Sequence, residues 1–411
     1  MNDIIKNKYK SNIWKIFVLY ALLGFAFFFI PVIFFNYQHY GLNFFQIGLL
    51  GSIGMLTILL LEIPTGAFAD LYGRKKSINF GLLCYSITVI IYVFSSNFYL
   101  FMIGSIIMGI GSAFISGAWE ALLFDSLKHI EKEKEYLKLT MRQESVFMIV
   151  LLLSTLISPY LFTINVRYPF YIAAFFSVFL FLFSFLLYEE TPKKNKYLIS
   201  KHVSQIKEGF SYISKHNKII WLLSFGILSF TIQQLFRQLL SAPYIIFKGF
   251  SIIEYGFIGV FSLIVHLVIM NTSHIIEKKW KEKKTLIIGF FLWIIFMTLM
   301  YLSKKYVYVL FGSLFGAILS AKNLTLNSYI NKHLKKSIRA TVLSIFSMVG
   351  SCFCLISLLI VGKMIDSTNL HFTIFTLIIS SALIGSILLV IRYNEIIWEE
   401  IVKIHKKNKR N

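Results

Sequence analysis

Long apolar runs alternate with short polar segments along the whole chain. Twelve such runs lie near 13–35, 46–67, 78–96, 98–123, 144–164 and 168–188, then near 219–242, 253–275, 285–303, 306–330, 340–361 and 370–391. Each is close to the ~20 residues that an α-helix needs to cross a bilayer's hydrocarbon core. The pattern predicts an all-α membrane protein of 12 transmembrane helices in two six-helix halves, residues 1–188 and 219–411, the second ending in a basic tail. Residues 189–218 are polar and rich in lysine. They are expected to form a cytoplasmic linker, with an interfacial helix over QIKEGFSYISKH.

Composition agrees with this reading. The 411 residues are 57% hydrophobic and 15% charged, with a mean hydropathy of +0.72. A soluble domain carries more polar surface than that. The net charge of +22 could point to nucleic acid, but its distribution argues otherwise. With the N-terminus placed inside, only Arg167, Lys248, Lys304, Lys305 and Lys363 fall in outer segments, and Arg237 and Lys322 fall within spans. The rest of the 41 Lys and Arg lie in the segments placed inside. That is a positive-inside distribution. It predicts a multi-pass protein of the cell membrane with both termini cytoplasmic, in contact with lipid and not with nucleic acid. The N-terminus lacks a small-residue cleavage site, so its first apolar run is expected to be a retained span. Cys84, Cys352 and Cys354 sit in apolar runs and are expected to be inert, helix-buried thiols.

The two halves repeat one another at offsets near 200. Between runs 2 and 3 lies GAFADLYGRKKS, Gly66 to Ser77, and between runs 8 and 9 a degenerate counterpart, IIEKKWKEKKT. Asp70 then falls on Glu277, Arg74 on Lys281 and Lys76 on Lys283. RQESV at the start of run 5 is echoed by RATVLS at the start of run 11. Within the first loop, Gly66 is suited to close helix approach, Gly73 to a tight turn, and Asp70 to the positive amino end of a neighbouring helix.

GAFADLYGRKK resembles the signature loop of the major facilitator superfamily, Gly-x3-Asp-x2-Gly-Arg-Lys/Arg, in the place where that family has it. The resemblance implies two pseudo-symmetric halves around a central cavity lined by spans 1, 4, 7 and 10. It also implies a cytoplasmic latch, in which Asp70 meets the start of span 11 and Arg74 pairs with the acid at the end of span 4, here Asp125. The function implied is secondary active transport of a small molecule by alternating access, without a cofactor, by a protein expected to be a monomer.

Four charges stand clearly inside apolar runs: Glu62, Glu120, Arg237 and Lys322. Each costs roughly 2.5–3.5 kcal/mol at a helix centre unless it faces a cavity or a partner. Glu62 lies about one turn before the signature loop and is expected to support it, with a part in gating or proton coupling as the alternative. Glu120 in span 4 and Lys322 in span 10 are 202 positions apart, so the repeat makes them pseudo-equivalent and opposite in charge. They are candidates for gating or proton coupling, as a direct pair or each within its own half. Arg237 shares TIQQLFRQLL with Gln233, Gln234 and Gln238, at spacings that place all four on one helical face. This stripe is a candidate substrate contact, with an interhelical or gating role as the alternative. Gly104, Gly109, Gly111 and Gly117 mark span 4 for close packing and flexing.

No HExxH, nucleophile elbow or phosphate loop is found, so an enzyme is not expected. The leading expectation is export of amphipathic compounds, drug or metabolite, with protons as candidate coupling ions through Glu120. Drug antiporters of the superfamily usually carry an arginine within span 4 and a Gly-Pro-Gly-Gly type motif in span 5, and both are absent here. Proton-coupled nutrient uptake and a transporter-like sensor without flux therefore remain as alternatives.

Overall fold

The computed structural model describes residues 2–190, 199–335 and 338–408, with side chains at all of these except 2–3, 199–205, 273–283, 324 and 391–408. Among the described residues there are helices and no strands. In chain order they are α1 (Asn2–Ala26), α2 (Ile33–His39), α3 (Phe44–Tyr72), α4 (Arg74–Phe94), α5 (Phe98–Ile115), α6 (Ala118–His129), α7 (Tyr136–Ile164) and α8 (Tyr168–Ser184). There follow α9 (Ile199–Ser214), α10 (Asn217–Leu235), a π-helical turn Phe236–Leu240, α11 (Ser241–Phe247), α12 (Ile252–Leu302), α13 (Lys305–His333), α14 (Arg339–Ser367) and α15 (Leu370–Asn408).

Among the described residues, eleven segments are long and apolar enough to cross a membrane. The remaining predicted run forms the shorter apolar helix α8. At ~1.5 Å per residue its 17 residues reach about 25 Å, somewhat less than the usual core thickness of ~30 Å. Large apolar side chains stand exposed along the helices, among them Leu60, Phe94, Phe175, Leu182 and Leu383. In water such a surface would aggregate, whereas against acyl chains it costs nothing. Two differences from the pattern concern boundaries. The helix of run 5 begins at Tyr136 rather than near 144, because the polar stretch ahead of the run continues the same helix. Runs 8 and 9 both lie in α12, which is helical across the segment predicted as their connecting loop. Glu277, Lys281 and Lys283 fall outside the side chains described.

By its contacts the chain divides into two compact units. The first comprises Met1–Leu198, Ser241–Val260 and Leu358–Asp366. Its core joins α1, α4, α6 and α8 through Leu19, Leu82, Leu122, Leu127 and Leu180, all nearly or fully inaccessible. The fully buried Asn12 staples three elements, donating to Ser126 Oγ (3.1 Å) and Tyr188 O (2.7 Å) while accepting from Tyr188 N (2.9 Å). Helices α4 and α5 pack backbone to backbone. A β-carbon at either Gly81 or Gly111 would come 2.8 Å from the other's carbonyl oxygen. The segments from the second half of the sequence are knit in as closely. Tyr255 meets the Phe35 ring edge-on at 5.2 Å, and the carboxylate of Asp366 accepts from Phe44 N (2.9 Å) and Phe45 N (2.7 Å) at the start of α3.

The second unit comprises Ile199–Leu240, Phe261–Ser357 and Ser367–Asn411. Its centre is aromatic: Phe225, Phe290 and Trp293 are inaccessible or nearly so. Helix α10 is tied to α15 by Trp221 Nε1 donating to Leu388 O at 2.6 Å. Helix α9 lies where the linker predicts an interfacial helix, and α10 follows it after a two-residue break.

Candidate functional site

Runs 1, 4 and 7 are each interrupted, and the interruptions of runs 4 and 7 carry candidate residues. Run 1 breaks between α1 and α2, around Pro31. Run 4 breaks at Ser116 and Gly117, between α5 and α6. Gly117 has φ of +74°, a conformation that a β-carbon makes costly. The break turns the middle of an apolar run into a helix start, and Glu120 sits in its first turn. Backbone N–H groups and the helix dipole there favour a carboxylate. The charge that looked expensive thus sits at a helix terminus, and its side chain is exposed rather than sealed among apolar neighbours.

Glu120 is not alone. The carboxylates of Glu120 and Glu144 are within electrostatic range of one another and of the Tyr20 hydroxyl. Trp119, next to Glu120, is buried and meets Tyr20 edge-on at 5.2 Å. Glu144 was missed as a site residue because run 5 was taken to begin at it. With α7 starting two turns earlier, Glu144 lies well inside the helix. The available signal was the acid in RQESV, at the edge of an apolar run.

The signature loop forms the junction of α3 and α4. Gly73 links them with φ of +103°, a turn that requires glycine. Arg74 forms an ion pair with Asp125 and donates to Ala121 O at 2.8 Å, so both acceptors lie on α6. The pair is partly open to solvent, with side chains 28% and 41% exposed. Sequence reasoning missed Glu189, which was assigned to the linker. Its carboxylate accepts from Arg74 N (2.9 Å) and Lys75 N (2.7 Å), capping α4. Asp70 and Glu62 are exposed. Gly66 is a correction: a β-carbon there would meet nothing within 4 Å, so it is not a point of close helix approach in this structure. Close approach falls instead on Gly81, Gly109 and Gly111, deeper in the bundle. Cys352 is a second correction, being exposed rather than buried, while Cys84 and Cys354 are buried as expected.

In the second unit, Gln233 and Gln234 end α10 while Arg237 and Gln238 lie in the π-turn. The four therefore do not form the plain α-helical stripe expected of them, since a π-turn inserts a residue into the i+4 spacing. Arg237 is exposed, and its Nε donates to Gln234 Oε1 at 3.0 Å. Gln233 turns to α13, donating to Ser320 Oγ (2.6 Å) and accepting from Asn323 Nδ2 (2.8 Å). One turn below on α10, Ser229 Oγ accepts from Lys322 Nζ at 2.8 Å. The Lys322 ammonium stands 3.8 Å from the centroid of the Phe225 ring and 4.3 Å from that of Trp293. Lys322 is 5% exposed. Glu120 belongs to the first unit and Lys322 to the second. Ser229, Phe225 and Trp293 were missed because two are apolar in type and the third is an ordinary helix serine.

A model of the Major Facilitator Superfamily matches residues 16–356. The chain belongs to the Major Facilitator Superfamily. It is similar to the uncharacterized MFS-type transporter YxaM of Bacillus subtilis (strain 168), 24% identical over 58% of this chain and 59% of that one. It is also similar to the class H tetracycline resistance protein of Pasteurella multocida, 24% identical over 61% of this chain and 60% of that one. The chain thus spans about three fifths of the length of these curated relatives. Among solved structures, the nucleoside transporter NupG covers 94% of this chain with 98% of its own, at a TM-score of 0.75 and 14% identity. At that identity the likeness shows the fold.

Proposed function

We propose that this superfamily member is a secondary transporter of the plasma membrane, with cytoplasmic termini, that exports small amphipathic compounds by alternating access. The observation that carries the reading is an acid at a helix break, Glu120 in the first turn of α6, with Glu144 and the Tyr20 hydroxyl within electrostatic range. An exposed acid inside an apolar run is a candidate proton carrier. Such a site can load a proton on one side of the membrane and release it on the other. The likeness to a tetracycline resistance protein supports export. The likeness to a nucleoside transporter keeps nutrient uptake as the second reading.

In this proposal Arg74 and Asp125 hold the cytoplasmic ends of α4 and α6 together, with Gly73 as the turn, Glu62 as local support and Asp70 as the acid for a second helix start. Gln233, Gln234, Arg237 and Gln238 contact substrate, and Lys322 supports gating. The test is flux in proteoliposomes under an imposed pH gradient, reading substrate and internal pH together. Wild-type protein moves substrate against its gradient at the expense of the pH difference. Glu120→Gln and Glu144→Gln each abolish uphill flux while leaving downhill exchange. Uphill flux that survives in both variants removes these acids from coupling. Substrate binding without flux favours the sensor alternative.

A further inference from the structure

Lys322 is a buried charge of the second unit. Lys322 offers three N–H donors and no acceptor. The acceptor found for them among the described residues is Ser229 Oγ, at 2.8 Å. The rest of the ammonium's surroundings are aromatic faces: Phe225 at 3.8 Å, Trp293 at 4.3 Å and Phe290 at 5.7 Å. Such faces hold a cation, but they accept hydrogen bonds poorly. Trp293 adds a second donor. Its side chain is fully buried, and its indole Nε1–H has no hydrogen-bond partner among the described residues. Two buried donors beside one another, one of them charged, call for an acceptor that carries negative charge. The next turn is already satisfied. Gln233 uses its amide on Ser320 and its carbonyl on Asn323, so it cannot swing down to serve them.

We infer that Lys322, the Trp293 indole N–H and Ser229 form a binding site for the anionic group of an amphipathic substrate, a carboxylate or a phosphate. The inference rests on the transporter reading for the word substrate, but the site stands on its own donors. A carboxylate takes one hydrogen bond from Lys322 and one from Trp293, and Ser229, which already donates to Phe225 O at 2.9 Å, keeps the lysine oriented. The cargo is then an organic acid or phosphate ester with a hydrophobic body. A neutral or cationic amphipath of the same shape leaves the donors unpaired and binds more weakly.

The full-length protein in lipid nanodiscs is titrated with three ligands that share one naphthylmethyl body: 1-naphthylacetate, 1-naphthylacetamide and 2-(1-naphthyl)ethylamine. The anion is expected to bind at least about tenfold tighter than the amide, and the amine most weakly. Lys322→Met keeps the length and apolar contacts of the side chain, and it erases the preference. Trp293→Phe keeps the packing and reduces the preference, so the inference stays testable should the methionine variant not fold. Lys363→Gln, which removes an exposed cation outside the site, keeps the preference. Equal binding of acid and amide, or a preference that survives in Lys322→Met, overturns the inference. Proteoliposome flux is read separately. Anion preference without flux sinks the transporter reading and leaves the site. Flux with equal binding sinks the site and leaves the transporter.

Discussion

Replacing Asp366 with alanine should loosen the first turn of α3 and leave the rest of that helix intact. The start of α3 has four backbone N–H groups with no intrahelical acceptor, and each has found another one. Asn43 N donates to Gln46 Oε1, and Gln46 N donates to Asn43 Oδ1, a reciprocal capping box. The two N–H groups between them, on Phe44 and Phe45, donate to the carboxylate of Asp366, 322 and 321 residues away in sequence. The helix supplies half of its cap locally and takes the other half from the end of α14. A bond from an N–H to a charged group is worth ~1.5–3 kcal/mol when shielded. Asp366 is exposed, so water replaces much of that, and the loss for both bonds is about 1–2 kcal/mol, the scale of a removed helix cap. That corresponds to a ~5- to 30-fold change in an opening equilibrium. Hydrogen–deuterium exchange with fragmentation fine enough to resolve single amides reads it directly. Phe44 and Phe45 should exchange ~5- to 30-fold faster in Asp366→Ala, with Asp366→Asn in between because it keeps one acceptor oxygen. Asn43→Ala should instead speed exchange at Gln46. Unchanged exchange at Phe44 and Phe45 in Asp366→Ala would refute the reasoning.

Two further outcomes follow from the same kind of accounting. Gly117→Ala places a β-carbon at a positive φ without any steric neighbour, so the cost is conformational, ~1–2 kcal/mol. It should appear as a lower melting temperature, with Gly117→Asn milder, and equal stability of alanine and glycine would show that the break is not held in this conformation. The Arg74–Asp125 pair is part-exposed, so a double-mutant cycle with Arg74→Gln and Asp125→Asn should give a coupling of only ~0.2–1 kcal/mol in melting experiments. A coupling of several kcal/mol would mean that the pair is far better shielded than its exposure indicates.

Much of the site was readable from residue types and spacing. The Gly73 turn and Arg74 stand in a short, ordered motif, and the acid that pairs with Arg74, Asp125, is the one at the end of span 4 that the motif points to. Glu120, Arg237 and Lys322 were conspicuous because charge is costly in an apolar run. What escaped was whatever carries no such cost in sequence. Glu144 sat at an apparent boundary, Glu189 in an apparent linker, and Phe225 and Trp293 among the many aromatic residues of the chain.

The sequence alone was enough for the class of fold, the number of apolar runs and the excess of basic residues between them. Those properties follow from the bilayer, which demands about 20 apolar residues per crossing and retains cations on one side whatever the tertiary arrangement. Tertiary structure decided what each charge meets. Periodicity did not show that run 4 breaks at Gly117 and makes a helix terminus of Glu120's surroundings. Nor did it show that Asp366 completes the cap of a helix more than 300 residues away, or that three aromatic rings close around Lys322. Hydropathy is a sum over single residues, whereas a buried charge is settled by the donors, acceptors and ring faces that distant segments bring to it.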